Sequence, residues 1–176
     1  LEGILTEGRL KTLAVFDKPD PLDGPFFEET IYVTPTRMAA DGQARIRATV
    51  QEAVTALGLT HGPVHAELRW NREGPWVLEI AARCIGGLCA RVLRFSGGAS
   101  LEEVILRHAL GEDISCRERE EQAAGVMMIP IPAAGYYEGA DGEEEAGGVS
   151  GIEEIVITAK PGQKMEPLPE GSSYLG

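Results

Sequence analysis

The sequence predicts an α+β fold, an antiparallel sheet flanked by helices, and three observations predict it. Residues 64–70 and 76–81 alternate apolar and polar with period two around a short turn, the pattern of two hairpin strands. Residues 1–6 and 10–16 are two further apolar runs joined by Glu7-Gly8, a hairpin signal. Between the hairpins Ile46, Val50, Ala53, Val54 and Leu57 recur at helical spacing as one apolar stripe.

In chain order, residues 17–25 are dense in Pro and Asp and read as a loop. A strand is expected over 26–33, ended by Pro35. Thr36 can cap the striped helix, which runs to about Leu57 and stops at Gly58. His61 falls in the following loop.

The second hairpin is the informative one. In its first strand Val64, Ala66, Leu68 and Trp70 share one face, and His65, Glu67 and Arg69 share the other. If Asn71 to Pro75 form the loop, Trp70 faces Trp76, Leu68 faces Leu78 and Glu67 faces Glu79. Directly opposed residues have Cβ atoms roughly 4.5–5.5 Å apart, and like charges there repel. Such a pair calls for a shared proton or a cation, and a hard ion such as Mg²⁺ takes one or two carboxylates plus substrate phosphates. The alternative is two carboxylates on the wet face of an open sheet. Arg83, just past the second strand, offers a planar fork suited to phosphate or carboxylate. Gly86 and Gly87 let backbone approach a ligand closely. His65, beside Glu67, reads either as a hydrogen-bonded structural residue or as a substrate contact.

A helix is expected over 86–95, with Leu88, Val92 and Phe95 inward and its N-terminus aimed at an anion. Ser96-Gly-Gly-Ala99 breaks the chain, and Ser100-Leu-Glu-Glu103 is a capping box. The next helix packs through Leu101, Val104, Ile105 and Ala109 and ends at Gly111. Beyond it, residues 117–176 carry 12 acidic and 4 basic side chains, so two-thirds of the net charge lies there. Residues 123–131 read as a strand punctuated by Pro130, 141–146 as an acidic helix or loop, 152–158 as a strand, and 165–168 as a short one. The chain stops at Gly176 inside what reads as a final strand.

The 176 residues suit one or two small domains. A net charge of −12, from 28 acidic and 16 basic residues, argues against generic binding to nucleic acid or to an anionic membrane. No apolar run reaches the roughly 20 residues a bilayer span needs, and no signal-peptide pattern is present. Cys84, Cys89 and Cys116 form no disulfide framework, as expected of reduced thiols in a cytoplasmic protein, and Cys84 and Cys89, with no nearby His, read as small buried thiols rather than a zinc site. No Ser/His/Asp or Cys/His nucleophile pattern is apparent.

The stretch Val64-His-Ala-Glu-Leu-Arg-Trp, followed by Trp76-Val-Leu-Glu-Ile-Ala-Ala-Arg-Cys-Ile-Gly-Gly, resembles the metal-binding end of the ATP-grasp superfamily. It looks most like the branch holding L-amino acid ligases and the ATP-grasp halves of carbamoyl-phosphate-synthase-like proteins. The resemblance covers nearly the whole chain. It implies residues 1–116 as the C-terminal part of an ATP-grasp domain and 117–176 as a small, truncated α+β module. It implies that Glu67 and Glu79 hold metal, Glu79 being the Glu of a Glu-x-Asn-x-Arg motif and Arg83 its catalytic Arg. The Asn position is Ala81, so one ligand of the wider superfamily is missing, which leaves one metal ion or two open. By the same resemblance Glu2, Lys18, Leu78, Gly86 and Gly87 fall on the nucleotide or substrate side. Leu78 packs the core or approaches the adenine, and Lys18 assists a phosphate or acyl group or stays a solvated loop residue.

The implied activity is a carboxylate–amine ligase that uses ATP and Mg²⁺ or Mn²⁺ to form an acyl phosphate, then an amide or peptide bond. Its partners would be a small carboxylate and a small amine, with a homodimer left open. The chain starts at Leu1 in the middle of the family's pattern, so the expectation is the C-terminal part of a longer enzyme, inactive alone, with a lid and an N-terminal domain upstream. A non-catalytic nucleotide-binding module and chemistry on bicarbonate or carbamate are the alternatives.

Overall fold

The computed structural model describes residues 1–20, 29–167 and 174–176. Its elements run β1 (Glu2–Thr6), β2 (Arg9–Ala14), β3 (Ile31–Thr34), α1 (Ala40–Ala56), β4 (Gly62–Asn71), β5 (Gly74–Ala81), α2 (Gly87–Arg91), β6 (Arg94–Phe95), β7 (Ala99–Ser100), α3 (Leu101–Ala109), β8 (Ala124–Met127), β9 (Gly135–Tyr136), α4 (Glu143–Gly147) and β10 (Lys164–Met165). The fold class is α+β, as the alternation and the helical stripe predict. The chain divides into two compact units, one of residues Leu1–Asp17 and Tyr32–Val126, the other of Lys18–Ile31 and Met127–Gly176.

The first unit is built on a four-stranded sheet in the order β2-β1-β4-β5, each neighbouring pair antiparallel. Glu7 and Gly8 both take positive φ, which a tight two-residue turn between twisted strands requires. Gln51 of α1 clips that turn from below, accepting from Leu10 N at 2.9 Å and donating to Gly8 O at 2.8 Å. Ile46, Val50 and Val54 of α1 pack on Leu1, Leu5, Val64 and Ala66. Fully burying an aliphatic side chain of this size contributes about 1.5–3 kcal/mol, so this stripe is what fastens the helix to the sheet. Leu57, expected in the stripe, is exposed at the helix end. Gly58 does stop the helix: its N–H donates to Thr55 O while Leu59 N–H reaches Val54 O.

Thr36 does not cap α1. Its hydroxyl is taken by Asp17 and accepts from Met38 N at 3.1 Å, and the helix starts four residues later. The helix expected over 86–95 shrinks to α2, because Gly97 and Gly98 at positive φ turn Phe95 back on Ala99 in a small hairpin. In α3 the Ser100 cap is as expected, with Oγ accepting from Glu103 N at 3.2 Å. Leu101 and Val104 are buried, but Ala109 is exposed and His108 takes the inward place. Strand β3 pairs with β8. Residues 26–28 of the strand expected over 26–33 lie outside the described residues, and the observed strand begins at Ile31.

In the second unit β9 pairs with β10, and Ile131, Ala159 and Met165 form a small core with Tyr137, Ile157 and Leu175 against it. The strand expected over 152–158 is not formed. Thr158 and Ala159 N–H both converge on Leu175 O instead of entering a ladder. Glu143, Glu144 and Glu145 lie on α4, exposed. The thiols are free: Cys89 is buried, as expected, Cys84 is only partly so, and Cys116 is exposed.

Candidate metal and phosphate site

Strand pairing assembles the site in the first unit. Glu2 of β1 lies opposite His65 of β4, His65 lies opposite Ala81 of β5, and Glu67 lies opposite Glu79. Opposed residues share a face, so Glu2, His65, Glu67, Glu79 and Ala81 all stand on the face away from α1. The two carboxylates predicted to oppose each other do so.

Register beyond them differs from the sequence expectation. The turn is Arg72-Glu73, not Asn71 to Pro75, because Asn71 Oδ1 accepts from Glu73 N at 2.8 Å and Gly74 N at 3.2 Å and closes the chain early. Asn71 then pairs with Gly74, Trp70 with Pro75, Arg69 with Trp76 and Leu68 with Val77. Gly74–Leu78 is one residue longer than Leu68–Asn71, and the excess is placed at Leu78 as a bulge. Leu78 is therefore 63% exposed rather than a core residue. Trp70 stays at the surface under the guanidinium of Arg45, 5.0 Å from ring centroid to Cζ.

Glu2 is buried. Its Oε1 is bonded to His65 Nδ1, and its Oε2 accepts from Ile85 N at 2.8 Å. His65 Nε2 lies 3.1 Å from Glu67 Oε1. Flanked by two carboxylates, His65 has its pKa raised to about 9, first by the hydrogen bond to Glu2, then by that to Glu67, against the opposing effect of burial. The thiol of Cys84 is pushed up by burial and by the charge of Glu2. Glu67 is 25% exposed and Glu79 55% exposed, so the pair opens outward from a buried base.

Arg83 Nη2 sits 3.7 Å from Glu79 Oε1, and its Nη1 donates to Cys84 O at 3.0 Å. Ion pairs this exposed contribute little to stability, so the placement leaves the guanidinium available to an anion. Gly87 has φ +60 and Gly86 is extended; a Cβ built on either meets nothing within 4 Å among the described residues. Helix α2 spans five residues, too short for the anion-steering dipole expected behind Arg83. Lys18 belongs to the second unit and pairs with Glu29 at 2.5 Å.

No group of three or more His, Cys, Asp or Glu that could hold a metal ion is found among the described residues. What the face offers is two carboxylates, an all-oxygen set. That suits Mg²⁺, which is held by one or two carboxylates and completes its shell with water and phosphate oxygens. Ala81 stands two residues along β5 from Glu79 and adds no further ligand. Sequence reasoning missed the Glu2–His65–Glu67 chain. The spacing His65-Ala66-Glu67 puts both side chains on one face, but the pairing of β1 with β4 that brings Glu2 alongside is not written in either strand.

A protein-family comparison matches residues 1–92 to the ATP-grasp domain. A crystal structure of L-amino acid ligase from Bacillus licheniformis superposes with TM-score 0.85 at 31% identity, over 99% of this chain and 44% of that one. Carnosine synthase 1 of Gallus gallus is 33% identical over 129 residues, 72% of this chain and 14% of its own length. Alanine–anticapsin ligase of Bacillus subtilis (strain 168) is 32% identical over 88 residues, 49% of this chain and 18% of its own length. The chain thus spans less than a third of the curated relatives it matches. Among the described residues no helix is long and apolar enough to cross a membrane. With the family match covering more than half of the sequence, the chain belongs to the ATP-grasp family.

Proposed function

We propose that this chain is part of an ATP-dependent ligase that joins a small carboxylic acid to a small amine, both of amino-acid type. The observation that carries the reading is the opposition of Glu67 and Glu79 on one sheet face with Arg83 beside Glu79. The names of the relatives support the substrate class: an L-amino acid ligase, an alanine–anticapsin ligase and a carnosine synthase.

In this chemistry a carboxylate oxygen attacks the γ-phosphorus of ATP, the bond to the bridging oxygen breaks, and ADP leaves. The amine nitrogen then attacks the acyl carbon, phosphate departs, and the nitrogen loses a proton. Glu67 and Glu79 would hold Mg²⁺ or Mn²⁺, which when bound neutralises charge on the phosphates. Arg83 would pair with the transferred phosphoryl group or the acid. Exposed Leu78 would offer an apolar contact to the adenine, and Gly86 and Gly87 an unobstructed backbone to the phosphates. Little covalent work falls to the protein in phosphoryl transfer, so positioning and electrostatics carry the rate. A cytoplasmic location fits a ligase that consumes ATP.

Glu79→Gln in the intact protein should lower ADP release with a panel of amino acids by at least about 100-fold, the scale on which single electrostatic stabilisers act. Wild-type turnover by that variant would remove the metal role. Ala81, where the resemblance expects Asn, favours one second reading, a domain that binds nucleotide without turnover. ATP binding with no ADP release under any amino-acid pair would establish it.

A further inference from the structure

Glu2 is 1% exposed, and a carboxylate so deeply buried is costly unless its oxygens are met by donors. Both are met. One faces His65 Nδ1 and the other takes the N–H of Ile85. His65 in turn reaches Glu67 through Nε2 at 3.1 Å. His65 thus bridges two carboxyl groups, one at each ring nitrogen, and is held between them from both ends. A metal-ligating group held from behind in this way has its orientation fixed before the ion arrives. The second oxygen of Glu2 does the same for another part of the site, because Ile85 lies between Arg83 and the pair Gly86-Gly87.

We propose that Glu2 and His65 are positioning residues that form one buried clamp, fixing the carboxylate of Glu67 through His65 and the backbone of the Arg83–Gly87 segment through Ile85. The inference rests on the reading of Glu67 and Glu79 as the divalent-cation pair. It gives Glu2 a different place from the one the family resemblance suggests, behind the site rather than against the ligand.

Substitution by amides separates the two ends of His65. The Asn side-chain nitrogen reaches the place of Nδ1, so His65→Asn keeps the bond to Glu2 and loses Glu67. The Gln nitrogen reaches the place of Nε2, so His65→Gln keeps the bond to Glu67 and loses Glu2. The probe is Mn²⁺ titrated into the intact protein with a non-hydrolysable ATP analogue and read by electron paramagnetic resonance. His65→Asn should raise half-saturating Mn²⁺ by about 10- to 100-fold, the usual cost of losing an outer-shell partner. His65→Gln should shift it less, and affinity for the analogue in EDTA should not move in either. A merely structural role predicts the opposite ordering whenever the Gln variant melts lower. Equal shifts, or none with Asn, overturn the clamp.

A second measurement needs no variant. In protein labelled with ¹⁵N-histidine, adding Mg²⁺ and the analogue should shift the His65 Nε2 resonance more than Nδ1, and an unmoved Nε2 overturns the proposal even where His65→Asn fails to fold. Glu79→Gln run in the same titration separates the two levels. Weakened Mn²⁺ binding there with an unaffected His65→Asn sinks the clamp alone. No Mn²⁺ binding by the wild type sinks the metal reading and the clamp with it.

Discussion

Gly74→Ala tests the register on which the carboxylate pairing depends. Gly74 closes the β4–β5 turn at φ +130, a conformation that L side chains rarely adopt. Holding alanine there costs about 1–3 kcal/mol. The new methyl would also overlap the guanidinium of Arg45, whose Cζ lies 2.9 Å from the Cβ position. Arg45 would have to leave its hydrogen bond to Glu73 O at 2.7 Å and its seat over Trp70. That side chain is exposed and can take another rotamer, so its loss adds only about 0.5–1 kcal/mol. The expected total is about 1.5–4 kcal/mol. Denaturant unfolding followed by the fluorescence of Trp70 and Trp76, which flank the turn, reads it directly. In an Arg45→Ala background the cost of Gly74→Ala should shrink by the Arg45 share and no more, a double-mutant cycle that isolates the clash. A loss below about 0.5 kcal/mol for Gly74→Ala alone would show that the turn is not closed at Gly74 and would refute the register argued from it.

Two other predictions follow from α3. His108 is buried, hydrogen-bonded to Thr6 Oγ1 at 2.8 Å and stacked on His61 with ring centroids 4.2 Å apart. Burial first, and then the charge of His61, holds its pKa below the ordinary 6.5. The unfolded chain therefore binds the proton more readily, so the contribution of neutral His108 is complete above pH 6.5 and falls away as the pH drops below it. His108→Gln, which keeps a nitrogen near Thr6, should flatten that acid limb in thermal melts recorded between pH 7 and 5, and an unchanged slope would count against the burial argument. Ser100→Ala removes the cap to Glu103 N and should cost about 1 kcal/mol in the same melts; no loss would mean that water or the backbone already replaces the hydroxyl.

The periodic features of the sequence were legible because they are local. Val64, Ala66, Ile46, Val50 and Val54 alternate or stripe as their elements demand, and all are buried. The opposition of Glu67 and Glu79 was readable too, although the loop assumed between them was too long. The same pairing follows whether the loop is wide and the ladder regular or the turn tight with a bulge at Leu78. What single-strand patterns could not carry was the tertiary part. Thr36 is a good cap by type, yet Asp17 claims it. Phe95 looks like the last turn of a helix, yet two glycines at positive φ fold it into a hairpin. Glu2 could be placed near the site only by resemblance, and its burial against His65 depends on a strand 63 residues away.

The surplus residue at Leu78 has a consequence for how this hairpin tolerates change. It lies between the tip and Glu79, so it acts as slack: adding one residue to the β4 side of the tip would straighten the ladder without parting the two acids. Length variation at the hairpin end is thereby insulated from the chemistry four residues further down, and the tip is free to diverge while the acids stay face to face.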